Sequence, residues 1–271
     1  MVRICSNYLI LLSVFLFACK EQPVLIPKNT TLSSGEHKML VEEYTGVKCV
    51  NCPAGSAEIE NLKAKYGENV IALSIHEGIF AKPYAESKYD FKIKDGEDIA
   101  AYVGTPEGYP SATIDRKRFA GQTSLQVGQN TWAGYIEQQL KEAAPLKVSL
   151  ANEYNATTRD LNINVSVLPF QNINEPLRIT VLVSETDISD YQSTPQGKQA
   201  DYKHKHVLRD VITAATGDNL GTTFSIATLI KKTYNYKIPG NWKADKCSIV
   251  AFVHREGIDK SIVNVAEQKV K

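Results

Sequence analysis

The sequence predicts an α+β protein in two folded parts: a mixed α/β domain over residues 38–144, then an antiparallel β domain over residues 145–271. Before Pro145 the apolar residues recur at both helical and strand spacings, whereas from Leu146 onward they alternate with polar residues only. Such alternation belongs to sheets with one packed and one wet face. At 271 residues the chain is long enough for two domains. Its 43% hydrophobic and 23% charged residues are globular composition.

The first 37 residues stand apart. Arg3 is the single charge among residues 1–18, and Tyr8 to Phe17 (YLILLSVFLF) is an apolar run too short for the roughly 20 residues a spanning helix needs. A basic start, a short apolar core and a small residue at its end make a signal peptide. The run ends in Leu16-Phe17-Ala18-Cys19, the pattern of a lipobox, so Cys19 is expected to carry the lipid. Residues 19–37, rich in Pro, Thr and Ser, read as an extended tether. Beyond residue 18 the chain carries 30 basic and 30 acidic side chains with no Lys/Arg run, which argues against a nucleic-acid partner. The expected location is the cell envelope, lipid-anchored.

Within the first domain, Met39–Thr45 alternates (Leu40, Glu42 and Tyr44 against Val41, Glu43 and Thr45) and reads as a strand closed by Gly46. Cys49-Val50-Asn51-Cys52 follows, and Ile59, Leu62 and Tyr66 then share one helical face up to Gly67. Pro53 fits the first turn of that helix. Residues 69–76 (NVIALSIH) form a nearly unbroken apolar run, the pattern of a buried parallel strand. Residues 77–104 are a polar insertion with a helical middle. Tyr109-Pro110 leads into the short strand-like run SATID, and Trp132, Tyr135, Ile136 and Leu140 give a closing helix.

Strand, C-x-x-C at a helix start, buried strand, insertion, X-Pro-strand and last helix resemble the thioredoxin fold in its order. That resemblance implies that Pro110 is cis and faces the cysteines, and that Tyr109 offers backbone to thiol substrates. It also implies that Glu43 is a buried carboxylate serving the second cysteine. The chain departs from the thioredoxin pattern in having Lys48 before the pair and Val50-Asn51 within it. LVEEYTGVKCVNCP, SIHEGIFA, GYPSATIDR and HKHVLRD resemble the twenty-eight-kilodalton outer-membrane protein family of bacterial envelope lipoproteins. That family implies a thioredoxin-like domain followed by a β-sandwich, and no established activity.

The cysteine pair has a chemistry of its own. A helix N-terminus and a nearby cation such as Lys48 lower a thiol's pKa from about 8.5 toward about 7, which makes Cys49, at the exposed end, the attacking sulfur and Cys52 the resolving one. Three other readings stay open. As a structural staple so short a loop contributes only about 2 kcal/mol, against about 3 for fifteen residues. As a metal site one C-x-x-C supplies two of four ligands, and His76, His204 and His206 lack finger spacing, so no metal or other cofactor is expected. The pair is otherwise a remnant on a fold now used for binding. His76, ending a buried strand, reads as structural, and Cys247, in the apolar run CSIVAFV, as a buried inert thiol.

In the second domain Val148 and Leu150, then Leu161 to Val167, Leu177 to Val183, Ile249 to Val253 and Val263 to Ala266 alternate, which suits an immunoglobulin-like β-sandwich. Residues 187–219 break the pattern. They read as a long polar loop holding a His204/His206/Arg209 cluster, either packed across the sandwich or binding a partner. Two functions are open: thiol–disulfide exchange on the thiols of exported proteins, or binding of an unidentified surface partner with the first domain as scaffold.

Overall fold

The computed structural model describes residues 36–271. The signal segment, Cys19 and nearly all of the tether lie outside these residues. The elements are β1 (Met39–Thr45), α1 (Cys52–Tyr66), β2 (Val70–His76), α2 (Lys94–Val103), β3 (Ser111–Ile114), β4 (Val127–Gly128) and α3 (Trp132–Gln139). Strands follow without another α-helix among the described residues: β5 (Leu146–Tyr154), β6 (Asp160–Pro169), β7 (Leu177–Glu185), β8 (Ile188–Thr194), β9 (Gly197–His204) and β10 (Val207–Val211). The last four are β11 (Asp218–Gly221), β12 (Ile230–Lys237), β13 (Cys247–Arg255) and β14 (Ile262–Lys269). The protein is therefore α+β, mostly strand, with few helices and several sheets.

β1 is the hub of the first half. It pairs in parallel with β2, Glu43 opposite Ser74, and antiparallel with β3, Glu43 opposite Ala112. Every residue of β1 is buried, because both faces are covered. On one face Met39 and Val41 pack with Ile59 and Leu62 of α1 and with Trp132 and Ile136 of α3. These are the apolar positions whose helical spacing is visible in the sequence, and each such side chain contributes about 1.5–3 kcal/mol on burial. On the other face Leu40 and Tyr44 pack with Ile71, Leu73 and Ile99, and also with Leu182, Leu208, Val250 and Phe252 from the second half. A third cluster, including Val148, Ile163 and Val165, fills the space between the three-stranded sheet β12-β6-β5 and β7 and β13.

Two expectations need correction. The 144/145 boundary marks a change in element type but no break in the fold. One nine-stranded sheet runs β14-β13-β7-β10-β2-β1-β3-β4, with β11 also on β7, and β10 from the second half lies between β7 and β2. Leu208 and Phe252 pack in the same core as Leu40, so neither half buries its apolar faces alone. The second correction concerns residues 187–219, which are strands rather than a long loop. β8 and β9 form a separate two-stranded hairpin, β10 joins β2 to β7, and β11 pairs with β7.

Candidate functional site

The cysteines sit in the turn from β1 into α1. The Cys49 N–H donates to Gly46 O at 2.9 Å, and α1 begins at Cys52 with Pro53 in its first turn, where a missing N–H costs nothing. Cys49 and Cys52 form a disulfide with Cα atoms 5.4 Å apart. The Tyr109–Pro110 bond is cis.

Gly55, one turn into α1, is where the parts converge. A Cβ there would lie 2.7 Å from Pro110 Cβ and 2.9 Å from Glu43 Oε1, so the absence of a side chain lets the helix, the proline and the carboxylate touch. Glu43 is buried and accepts hydrogen bonds from Ser74 Oγ at 2.9 Å and Ser56 Oγ at 3.3 Å. Burial, only partly offset by those two donors, pushes its pKa up to about 7. Tyr109 donates its hydroxyl to Glu77 and packs edge-on against Phe80.

Two site expectations change. Cys49 is not at an exposed end: it is 4% exposed and Cys52 1%. Cys49 also precedes the helix instead of beginning it, and the Lys48 ammonium lies over the Tyr84 ring at 5.1 Å. The cover over the pair comes from β8. Gln192 Nε2 donates to Cys49 O at 3.0 Å and Gly46 O at 3.3 Å, and the Ser193 N–H donates to Val47 O at 2.8 Å. A cavity of about 10 Å³ remains, lined among others by Cys52, Ser74, His76, Gln192, Tyr202 and His204. That is room for one water at most. Much larger clefts lie elsewhere, one of about 870 Å³ between Arg118, Glu142 and Ile258 and one of about 900 Å³ beside Tyr154 and Tyr236. Gln192 and Tyr202 went unread in the sequence. The one signal there is Thr194-Pro195-Gln196-Gly197, a turn signature between two polar runs.

The expected histidine–arginine cluster is not one site. His204 turns inward, 5.6 Å from the His76 ring and 4.8 Å from Phe91. Burial lowers the pKa of His204 to about 4 and holds His76 well below its usual value, so both are neutral at pH 7. His206 instead meets Glu60 of α1 at 2.9 Å, and Arg209 lies over Trp242 and reaches Glu185. Cys247 is free and buried, its thiol pushed up to about 12 by burial. Among the described residues no three His, Cys, Asp or Glu side chains gather as a metal site needs.

Fold and site together define an α+β protein with a covered C-x-x-C disulfide at the start of its first helix. The profile of the family described as "Outer membrane protein Omp28" matches residues 100–271, and the chain belongs to that family. It is thus an outer-membrane protein of the cell envelope. The matched stretch includes Pro110 and Gln192 but not Glu43, Cys49 or Cys52. Among solved structures the chain is similar to HBP35 of Porphyromonas gingivalis, with 20% identity and a TM-score of 0.68 over 87% of this chain and 76% of that one. It is also similar to a protein of Agrobacterium tumefaciens, with 13% identity and a TM-score of 0.55 over 88% and 96%. At such identities the likeness speaks to the fold alone. A search of curated proteins returned no match.

Proposed function

We propose that the protein is a membrane-anchored thiol–disulfide exchanger acting on exported proteins, built from a thioredoxin-like part and a β-sandwich. The observation that carries this is the meeting at Gly55 of α1, cis Pro110 and a buried carboxylate poised near neutrality, directly after a C-x-x-C disulfide. A short-loop disulfide adds little stability, so exchange is the better reason for the pair. In the reaction a partner thiolate attacks Cys49 Sγ, and the Cys49–Cys52 bond breaks with its electron pair leaving on Cys52. Cys52 takes up a proton, which Glu43 supplies; Ser56 and Ser74 line the cavity beside Cys52 and donate to Glu43. A second partner thiolate then attacks the partner's sulfur in the mixed disulfide, Cys49 leaves as a thiolate, and the partner dithiol has become a disulfide while the pair has gained two electrons. Pro110 and Tyr109 would border the place where that partner lies.

The test is alkylation of the reduced protein across pH, with Cys49→Ser and Cys52→Ser variants and equilibration against glutathione. The expected result is a low-pKa thiol at Cys49 and a mixed disulfide trapped on Cys49 in Cys52→Ser. A Cys49 that titrates as a free thiol, with neither variant trapping a partner, sinks the exchange reading.

A second reading has one observation in its favour: both sulfurs are covered in the described fold. In that reading the protein binds a surface partner and the first half is scaffold. We also propose that Cys19 bears the lipid; an intact mass showing a mature N-terminus beyond Cys19 would refute it.

A further inference from the structure

We propose that the β8–β9 hairpin is a hinged cover over the cysteine pair, latched by Gln192, so that a partner thiol reaches Cys49 only when the hairpin has swung away. This rests on the exchange reading and adds to it a selecting element contributed by the second half of the chain.

Three observations carry it. The first is the aim of the latch. The register of β8 against β9 shifts between Asp190 and Gln192, a bulge of the kind that re-aims a side chain. The amide that follows it bonds the carbonyl of Cys49 itself and that of Gly46, while Ser193 takes the carbonyl of Val47. Three carbonyls of the cysteine turn, those of Gly46, Val47 and Cys49, are thereby held by two consecutive residues of the hairpin.

The second is that the cover is separable. β8 and β9 pair only with each other and belong to neither of the larger sheets. A two-stranded hairpin is marginal by itself in water, so this one stays in place through its contacts with the rest of the protein. Those contacts are chiefly polar. Asp190 accepts the N–H groups of Lys88 and Tyr89, Lys198 pairs with Glu86 at 2.8 Å, and Lys205 and His206 at its base hold Glu60 of α1. Of the hairpin's residues only Ile188 is buried in an apolar cluster, with Val47, Phe91 and Val207. β9 is exposed along most of its length. Lifting the hairpin breaks one small apolar cluster and the packing of His204 on Phe91 and His76, and it returns carbonyls and carboxylates to water.

The third is how tightly the space beside Cys52 is filled. The space beside Cys52 holds at most one water, which leaves no volume for a thiol while Tyr202, His204 and Gln192 are seated.

The experiment measures the rate at which dithiothreitol reduces the disulfide in the folded protein, by acid quench, alkylation and mass, as dithiothreitol concentration is raised. It compares wild type, Gln192→Ala and, as a control far from the hairpin, Gln268→Ala. Gln192→Ala is expected to be reduced roughly tenfold faster than wild type, the effect of losing about one net hydrogen bond's worth of latch. Gln268→Ala is expected to match wild type. If Gln192→Ala does not fold, the wild-type curve decides: opening as the slow step gives a rate that levels off with dithiothreitol, and direct attack on an open disulfide gives a straight line. Equal rates in wild type and Gln192→Ala, or a fast linear wild-type curve where that variant is not folded, overturn the cover while leaving exchange intact. A pair that stays oxidised in every variant overturns exchange, and the cover with it.

Discussion

At the scale of single residues, the two neighbouring acids of β1 show how burial divides similar groups. Glu42 faces Arg116, with Oε1 2.5 Å from Nη2 and Oε2 2.8 Å from Nε, and both side chains are fully buried. Arg116 occupies a left-handed conformation (φ 49°) in the turn after β3 and lies over Phe252, so the pair also ties the two halves together. Removing one member strands the other charge: Arg116→Met is expected to cost about 3–5 kcal/mol in urea unfolding, and Glu42→Met with Arg116→Met to recover much of that. Glu43 has no cation beside it among the described residues. Its carboxyl ionises near 4.5 in the unfolded chain and near about 7 in the native protein. Between those values the native state binds more protons, so stability falls as pH rises, by about 3 kcal/mol in all. Glu43→Gln carries no such penalty; it should equal wild type near pH 4 and exceed it near pH 8 in the same measurement. From the sequence alone Glu43 is equally a solvent-facing strand residue, because alternation cannot tell that a strand is covered on both faces.

At the scale of elements, two helical glycines make opposite predictions. Alanine is the better helix former by about 1 kcal/mol, so Gly134→Ala in α3, with open space around it, should stabilise by up to that amount. Gly55→Ala in α1 would drive a methyl into Pro110 and Glu43, and overpacking of about 1–3 kcal/mol outweighs the propensity gain. Thermal unfolding of the two variants reads both signs. Elements with an apolar stripe were legible: β1, α1, β2 and α3 lie where period and stop residues put them. The hairpin was not, for a physical reason. β9 (GKQADYKH) has no buried face to imprint a period, and β8 is fixed mainly by hydrogen bonds that Asp190 and Gln192 make to distant backbone. β12 hid likewise, with Lys232 at a half-buried position between Ile230 and Tyr234.

At the scale of the whole molecule, local period says nothing about which strands become neighbours. The five residues of β10 carry no mark of their place between β2 and β7, and the Asp115 carbonyl gives no hint that the Ile262 amide will reach it at 2.7 Å. Asn264 makes a similar stitch, accepting from the Lys38 N–H and donating to Leu146 O. Residues 36–271 are therefore expected to unfold in one transition with circular dichroism and fluorescence coincident, and limited proteolysis near Pro145 is expected to release no stable piece; a protected 146–271 fragment would count against the shared core. The place of β10 also sets an order in time. A chain is made and exported from its N-terminus, so β2 exists well before residues 207–211 arrive to cover its flank. Until then an apolar strand edge stands open to any stray partner. A chain halted before Val207 is therefore expected to keep that edge open, and to aggregate more readily than the full chain.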